Sequence, residues 1–371
     1  MQDNAASGCA EDDKRFMNLA LLLADHAKGS TFPNPAVGAV VVKNGKVVGR
    51  GATSRWGGPH AEKNALAQAG ARARGGTLYA TLEPCNHTGR TLPCTDAIIA
   101  AGIRRVVASV KDPNPFVNGK GLRKLSRAGI EVSVGLLSQE STRLNEDFFY
   151  WVTQKRPWVT VKLAMTLDGR IADAFGESKW ITSVASRNFV HDIRRRHGAI
   201  AVGRRTLEQD NPKLTVRHGK IGNPARFVFS SKIAVSPNSY FVKNASSNSR
   251  SILVKSGGKA CEKLKLAGGI EIWRTGKTGR AESLKAFLTM ASEENITSVL
   301  VEGGGSLASS FLENNLVNRV YLFYANKILG GGLSAIGFES PLALSKCMML
   351  ARVETMQFGS DTMITGIPET R

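Results

Sequence analysis

Four residues have types and spacing that could hold a catalytic metal and work beside it. His60 and Glu62 lie two apart in "GGPHAEKNAL", and Cys85 and Cys94 bracket the stretch "EPCNHTGRTLPC". Neutral imidazole and thiolates are zinc ligands, and a catalytic zinc keeps its fourth position for a water, whose pKa it lowers from ~15.7 to ~7. That chemistry needs a proton carrier close to the metal but not bound to it, and Glu62 suits the task. Positions i and i+2 of a continuous helix diverge by about 200°. His60 and Glu62 can therefore serve one site only by straddling a helix start, which Pro59 marks. Cys94 should open the helix "PCTDAIIAAG", where unpaired N–H groups and the helix dipole favour a thiolate. Two blander readings stand beside this one: a disulfide, and small core hydrophobes with His60 as a helix-start residue.

The elements that must position these residues follow from the pattern around them. "RFMNLALLLADHAKG" reads as a first helix starting after Asp12 and Asp13. "AVGAVVVKNGKVVGRGAT" is two β-branched runs joined by Asn44-Gly45, a strong hairpin signal. Next come "HAEKNALAQAGARA" (helix), "TLYATLEPC" (strand), the Cys94 helix, "RRVVASVKDPNP" (strand and turn), "GLRKLSRAG" (helix) and "IEVSVGLL" (strand). This alternation predicts an α/β sandwich on a largely parallel sheet over residues 1 to about 138. A polar helical connector leads to "WVTVKLAMTLDGRIA", and the alternation resumes in a second α/β domain with no repeat of the first. Its most telling stretch is "VLVEGGGSLASS", strand, three glycines, helix, whose N–H groups could cradle a phosphate. It is not G-x-G-x-x-G, and a dinucleotide-binding domain of the Rossmann type is not indicated.

Composition bounds the class of protein. At 371 residues the chain exceeds what one core usually supports, so two domains are expected. Hydrophobic content of 42% is that of a globular α/β protein rather than a disordered or fibrous one. The five cysteines (Cys9, Cys85, Cys94, Cys261, Cys347) are an odd, scattered set, unlike a secreted disulfide framework. No stretch has the length to cross a bilayer and the first residues do not form a leader, so a cytoplasmic address is expected. A formal net charge of +20 should attract anions, whether nucleic acid, nucleotides or sugar phosphates.

The motifs together carry a resemblance. "PHAE" with "EPCNHTGRTLPC" resembles the cytidine-deaminase superfamily, an H-x-E and Pro-Cys arrangement known from zinc deaminases. The eight residues between the cysteines, with "TFPNPAVGAVVV" and "VKDPNPFVNGKG", are similar to the deaminase half of the bifunctional riboflavin-biosynthesis deaminase/reductase family. "WVTVKLAMTLDGRIA", "GESKWITS", "AIAVGRRTLEQDNPKLTVR" and "SVLVEGGGSLASSFL" resemble its reductase half; the match weakens between about 230 and 295. The resemblance implies a cytidine-deaminase-like three-layer α/β/α domain at 1–148 followed by a dihydrofolate-reductase-like α/β domain at 149–371.

It implies, further, one zinc per chain on His60, Cys85 and Cys94 with Glu62 catalytic. Asn34, His87, Arg90, Asp112 and Asn114 would then hold the substrate's pyrimidine and phosphoribosyl groups. In the second domain it implies NADPH on Ala164, Trp180, Thr206, Asp210, Gly304, Gly305, Ser306, Leu307, Ala308, Ser309 and Ser310. Ser178, Arg194, Leu214, Arg217 and Glu302 match substrate positions. Arg194 and Arg217 suit the 5-phosphate, while Lys162 and Glu302 are candidates for handling the ribose hydroxyls and the proton balance as hydride reaches C1′. One of Arg204 and Arg205 is suggested for the cofactor's 2′-phosphate. The expected partners are small anionic phosphoribosyl-pyrimidines, with no nucleic acid and no membrane, and a homo-oligomer is expected. The rival is a tRNA or nucleobase zinc deaminase with an accessory domain, favoured by charge and opposed by the cysteine spacing.

Overall fold

The computed structural model describes residues 2–86, 93–217, 223–232, 235–246 and 248–369. His87 and Arg90 lie outside them. The chain divides into two compact units, Met1–Lys155 and Arg156–Arg371.

In chain order the first unit contains α1 (Gln2–Ala27), β1 (Gly38–Lys43), β2 (Lys46–Ala52), α2 (Ala61–Ala69), β3 (Thr77–Ala80), α3 (Cys94–Ala100), β4 (Arg105–Ala108), α4 (Lys120–Arg127), β5 (Glu131–Val134), α5 (Ser138–Leu144) and α6 (Glu146–Gln154). The sheet order is β2-β1-β3-β4-β5. Asn44 and Gly45 both take positive φ, 49° and 71°, which is the backbone a two-residue hairpin requires.

Three layers follow from the period of two along each strand. Val40, Val42, Tyr79 and Val107 face Phe16, Met17 and Ala20 of α1. Their neighbours Ala39, Val41, Leu78 and Val106 face Ala61, Ala65 and Leu66 of α2, Ile98 of α3 and Leu125 of α4. Only β3, β4 and β5 run parallel, whereas β1 is antiparallel to both β2 and β3. The sheet is therefore mixed, not largely parallel, because the hairpin supplies two of its strands. The first helix also starts before Asp12, at Gln2. α6 runs past residue 148 to Gln154, and Asn145 and Asp147 bond into the first unit, so that unit ends at Lys155.

The second unit contains β6 (Trp158–Thr166), β7 (Arg170–Ala172), α7 (Val184–Arg195), β8 (Ala199–Gly203), α8 (Arg204–Asp210), β9 (Ala225–Phe229), α9 (Tyr240–Lys243), β10 (Ser251–Lys255), β11 (Cys261–Lys265), β12 (Ile270–Thr275), α10 (Arg280–Glu293), β13 (Ser298–Glu302), α11 (Gly305–Glu313), β14 (Arg319–Ala325), β15 (Leu333–Ser334), β16 (Leu350–Phe358) and β17 (Asp361–Pro368). A ten-stranded sheet runs β11-β12-β10-β9-β8-β13-β6-β14-β17-β16, with β15 and β7 paired apart from it. Its inner strands from β12 to β14 are parallel, and antiparallel strands close both edges. Ala199, Ala201, Phe227, Val299 and Val301 meet Phe287 of α10 and Phe311 of α11 on one face. Ile200, Val202 and Val228 turn to the other face against Leu207 and Phe241, and Leu300 packs there on Val190 and Ile193 of α7. The 230–295 stretch, where the sequence shows no motif, thus supplies core strands of the sheet. No helix among the described residues is long and apolar enough to cross a membrane.

Candidate active site

In the first unit, the register of the sheet brings the candidate residues to one edge. Gly38 at the start of β1 pairs with Ala52 at the end of β2, Ala39 pairs with Ala80 at the end of β3, and Ala80 pairs with Ala108 at the end of β4. The segments carrying Asn34, His60, Cys85 and Asp112 all leave the sheet there.

His60 is the N-cap of α2, with extended backbone (φ −75°, ψ 164°), and Glu62 lies in the first turn. The helix start thus lets i and i+2 serve one site. His60 Nδ1 lies 3.5 Å from Cys85 Sγ and 3.4 Å from Cys94 Sγ. Those are the N···S separations of a tetrahedral zinc, about 3.5 Å for Zn–N near 2.05 Å and Zn–S near 2.3 Å. All three ligand atoms fall within 4.8 Å of one another.

The electrostatics of the three groups also ask for a cation. A hydrogen bond from Cys94, and a second from His60, lower Cys85 to about 4 against the opposing effect of burial. The hydrogen bond to Cys85, burial and the charge of Glu62 push Cys94 far up. Cys85 also raises His60. A thiolate at Cys85 therefore forbids one at Cys94 until a divalent ion offsets the like charges, and metal binding must release protons here. At the α3 N-terminus the Cys94 N–H points 3.4 Å to Cys85 Sγ, so this donor serves the sulfur of Cys85. Cys85 and Cys94 are free thiols, not a disulfide.

Glu62 is only 3% exposed. Burial, and then the Cys85 charge, raise its carboxyl to about 7, against the lowering effect of His60. Asn34 sits in a tight turn, its backbone N–H donating to Thr31 O (2.9 Å) and its carbonyl accepting from Thr31 Oγ1 (3.0 Å). That turn is held from α5 and α6, because the Asn145 side chain bonds both backbone groups of Ala36 (2.9 and 2.8 Å) and Asp147 pairs with Lys28 at 2.5 Å. The polar connector therefore has a structural task that its composition does not announce. Asp112 Oδ1 accepts the Asn114 N–H (2.8 Å) and Asn114 Oδ1 accepts that of Phe116 (3.1 Å).

In the second unit the candidates gather at the carboxyl ends of parallel strands, where α/β sheets bind ligands. Lys162 on β6 registers with Glu302 on β13 and with Tyr321 on β14. Arg194, near the end of α7, grips both carboxylate oxygens of Glu302 at 2.6 Å and donates to Thr215 O at 3.2 Å. Burial works to raise the Glu302 carboxyl, but Arg194 and Lys162 hold it below the usual range. Burial lowers Lys162, which Glu302 only partly offsets. Arg194 thus has its fork committed to Glu302 and does not present two donors to a phosphate in this conformation. Arg217 is exposed and bonds Thr215 Oγ1 at 3.1 Å.

The glycine segment after β13 lies against the start of α8. Gly303 and Gly304 both have φ 76°, and a Cβ on either would come within 3.2 Å of Thr206. The N–H groups opening α11 therefore sit in a cradle with room for backbone and ligand but not side chains, which fits a dinucleotide's phosphates. Gly305, Ser306 and Leu307 form this first turn. Ala308, Ser309 and Ser310 are buried, and the two hydroxyls bond back to Gly305 O (2.6 Å) and Ser306 O (2.7 Å). Ser178 Oγ meets Asp210 at 3.2 Å, and Trp180, 63% exposed, carries the Arg187 guanidinium 4.4 Å above its ring. Ala164 lies half-buried on β6. Leu214 is buried in the apolar cluster under β8 and β9. Arg204 pairs with Glu208 at 2.6 Å, leaving Arg205 as the exposed arginine of that turn.

Two residues escaped the sequence reading. Asp168 accepts Leu329 N–H (3.0 Å) and Gly330 N–H (2.8 Å), and Lys327 Nζ reaches Trp180 O at 2.9 Å, so this carboxylate fixes the segment that touches Trp180. Glu83 is a buried carboxylate beside Pro84-Cys85, and its position before the cysteine gives no hint of its partners.

Comparison with known proteins joins the two units. A cytidine and deoxycytidylate deaminase zinc-binding region matches residues 10–110, and a RibD C-terminal domain matches residues 157–364. The riboflavin biosynthesis protein RibD of Aquifex aeolicus is 45% identical over 95% of this chain and 98% of its own length. That of Escherichia coli is 38% identical over 86% of this chain and 89% of its own. Among solved structures, Acinetobacter baumannii RibD superposes with a TM-score of 0.86 at 32% identity, covering 97% of this chain and 100% of that one. The Thermotoga maritima diaminohydroxyphosphoribosylaminopyrimidine deaminase/5-amino-6-(5-phosphoribosylamino)uracil reductase gives 0.84 at 38% identity, covering 97% and 99%.

Proposed function

The chain belongs to the RibD family of bifunctional riboflavin-biosynthesis enzymes, and from that premise we propose how its residues divide the work. The first unit is a zinc-dependent deaminase that removes the 2-amino group of 2,5-diamino-6-(5-phosphoribosylamino)pyrimidin-4(3H)-one. The second is an NADPH-dependent reductase that converts the ribosyl side chain of the product to ribityl. Zinc supplies the Lewis acidity that ionises a water near neutral pH, and NADPH supplies the hydride.

The observation that carries the deaminase assignment is the His60–Cys85–Cys94 cluster, with ligand atoms within 4.8 Å, beside the buried carboxyl of Glu62. These three side chains hold the metal. Glu62, buried beside the three ligands and not one of them, takes a proton and returns it to the departing ammonia. Asn34, Asp112 and Asn114 orient the pyrimidine, together with His87 and Arg90. In the reductase, Lys162 and Glu302 manage the ribose hydroxyls and the proton balance at C1′, and Arg217 is the cation available to the 5-phosphate. The cradle after β13, with Thr206, Trp180 and Asp210, takes NADPH.

Purified protein given the diaminopyrimidine should release ammonia without NADPH, and should oxidise NADPH once the deaminated product is present. Stripping zinc should stop ammonia release and leave NADPH oxidation on added deaminated product intact. No ammonia from zinc-loaded protein would sink the deaminase assignment; ammonia with no NADPH oxidation would sink the reductase one. Arg205→Ala should lose much of the preference for NADPH over NADH, while Arg204→Ala, already paired with Glu208, should keep it. Equal preference in wild type and Arg205→Ala, read from the two KM values, would remove Arg205 from the 2′-phosphate. A cytoplasmic address and a homo-oligomer complete the reading. The exposed edge strand β16, where Val353 is 51% and Met356 45% exposed, supports self-association.

A further inference from the structure

We propose that Glu83 is a positioning residue of the deaminase, whose carboxylate fixes the 112–122 segment, with Asp112 and Asn114, against Pro84, the residue before Cys85. The proposal rests on the reading of Asp112 as a substrate residue. Glu83 lies three residues past the carboxyl end of β3, immediately before Pro84-Cys85, and is 3% exposed. Oε2 accepts the N–H groups of Asp112 (3.2 Å) and Gly119 (2.8 Å), and Oε1 those of Gly121 (2.9 Å) and Leu122 (3.5 Å). All four donors belong to one segment. Its entry at Asp112, its turn at Gly119 and the first turn of α4 are therefore tied to a single side chain.

A buried carboxylate is tolerated only when its lone pairs are filled, and here backbone N–H groups fill them, two of them at a helix N-terminus where the dipole favours negative charge. From Asp112 the order continues through the Asn114 and Phe116 N–H bonds. The opposite wall is backbone: a Cβ on Gly121 would lie 2.0 Å from Pro84 O, so the segment rests directly on the residue preceding Cys85. The strand end that delivers a zinc ligand is thus the one that sets where Asp112 stands. A glutamine would keep the shape but set an amide NH₂ against backbone donors, and would lose the charge-assisted bonds.

The test uses full-length, zinc-loaded Glu83→Gln, Gly121→Ala and Asp112→Asn, with zinc per chain, kcat and KM for the diaminopyrimidine measured for each. For Glu83→Gln, zinc should stay at one per chain while KM rises about tenfold or more and kcat changes less than about threefold. Gly121→Ala, which displaces the same segment with Glu83 intact, should show the same split, and stands in if Glu83→Gln does not fold. A raised KM in Asp112→Asn with unchanged KM in the other two overturns the positioning role and leaves the substrate reading standing. Unchanged KM in all three overturns both. Loss of zinc with falling kcat at constant KM would make Glu83 a support of the metal ligands and overturn the proposal.

Discussion

Replacing Glu62 by glutamine is expected to leave zinc content unchanged while ammonia release falls by about 10²–10⁴-fold, the usual worth of a positioned proton carrier. The geometry allows this separation. Glu62 is not among the three ligand residues, and glutamine fills the same buried space at the first turn of α2. What glutamine cannot do is hold a proton. In the metal-free protein, burial and the Cys85 charge raise the Glu62 carboxyl to about 7. The same shift has a cost in stability. A carboxyl whose folded value lies above its ordinary 4.5 favours folding less and less as pH rises from about 4.5 to 7. Glu62→Gln removes that slope, so the metal-free variant should outlast the metal-free wild type above pH ~7 by thermal unfolding. Retained turnover in Glu62→Gln would refute the role; lost zinc would make Glu62 part of the metal site. NADPH oxidation on deaminated product serves as the internal control.

The zinc site could be read in the sequence because its information is local. His60 and Glu62 are two apart, and Cys85 and Cys94 each follow a proline, so ligand type, helix start and spacing were visible together. The Asn44-Gly45 hairpin was visible for the same reason. What was hidden depends on partners far along the chain. Glu83 meets four N–H groups from residues 112–122, Asn145 braces Ala36, and Asp168 holds Gly330, and in none does the sequence neighbourhood name the partner. The bond from the N–H opening α3 to the sulfur of Cys85, nine residues back, was hidden in the same way. Strands β11, β12, β16 and β17 were not legible in the sequence; β16, at the sheet edge, is exposed along most of its length and so lacks the alternation that marks a half-buried strand. In the reductase, pattern found the core strands β6, β8, β9, β10, β13 and β14, but only coordinates reveal that Arg194 is spent on Glu302.

That pair makes Glu302→Gln the most damaging expected change in the second unit. Side-chain exposure is 14% for Arg194 and 8% for Glu302, and the grip is bidentate at 2.6 Å on both oxygens. Removing one charge of a buried pair strands the other, at a cost of about 3–5 kcal/mol. The Lys162 ammonium, already lowered by burial, would lose the neighbour that partly offsets it. The sign with pH follows from the carboxyl. Its folded value is held below the ordinary 4.5, so the stability it contributes is present above about pH 4.5 and is lost as pH falls through the folded value. Glu302→Gln should therefore lower the reductase unfolding temperature at pH 7 and flatten this acid limb. A double variant, Arg194→Met with Glu302→Leu, separates architecture from chemistry. Replacing a buried pair by apolar side chains of similar volume is often neutral or stabilising. The double variant should thus regain most of the lost stability while NADPH oxidation stays absent and ammonia release continues. Recovery of NADPH oxidation along with stability would reduce Glu302 to scaffolding and return the proton balance at C1′ to Lys162 alone.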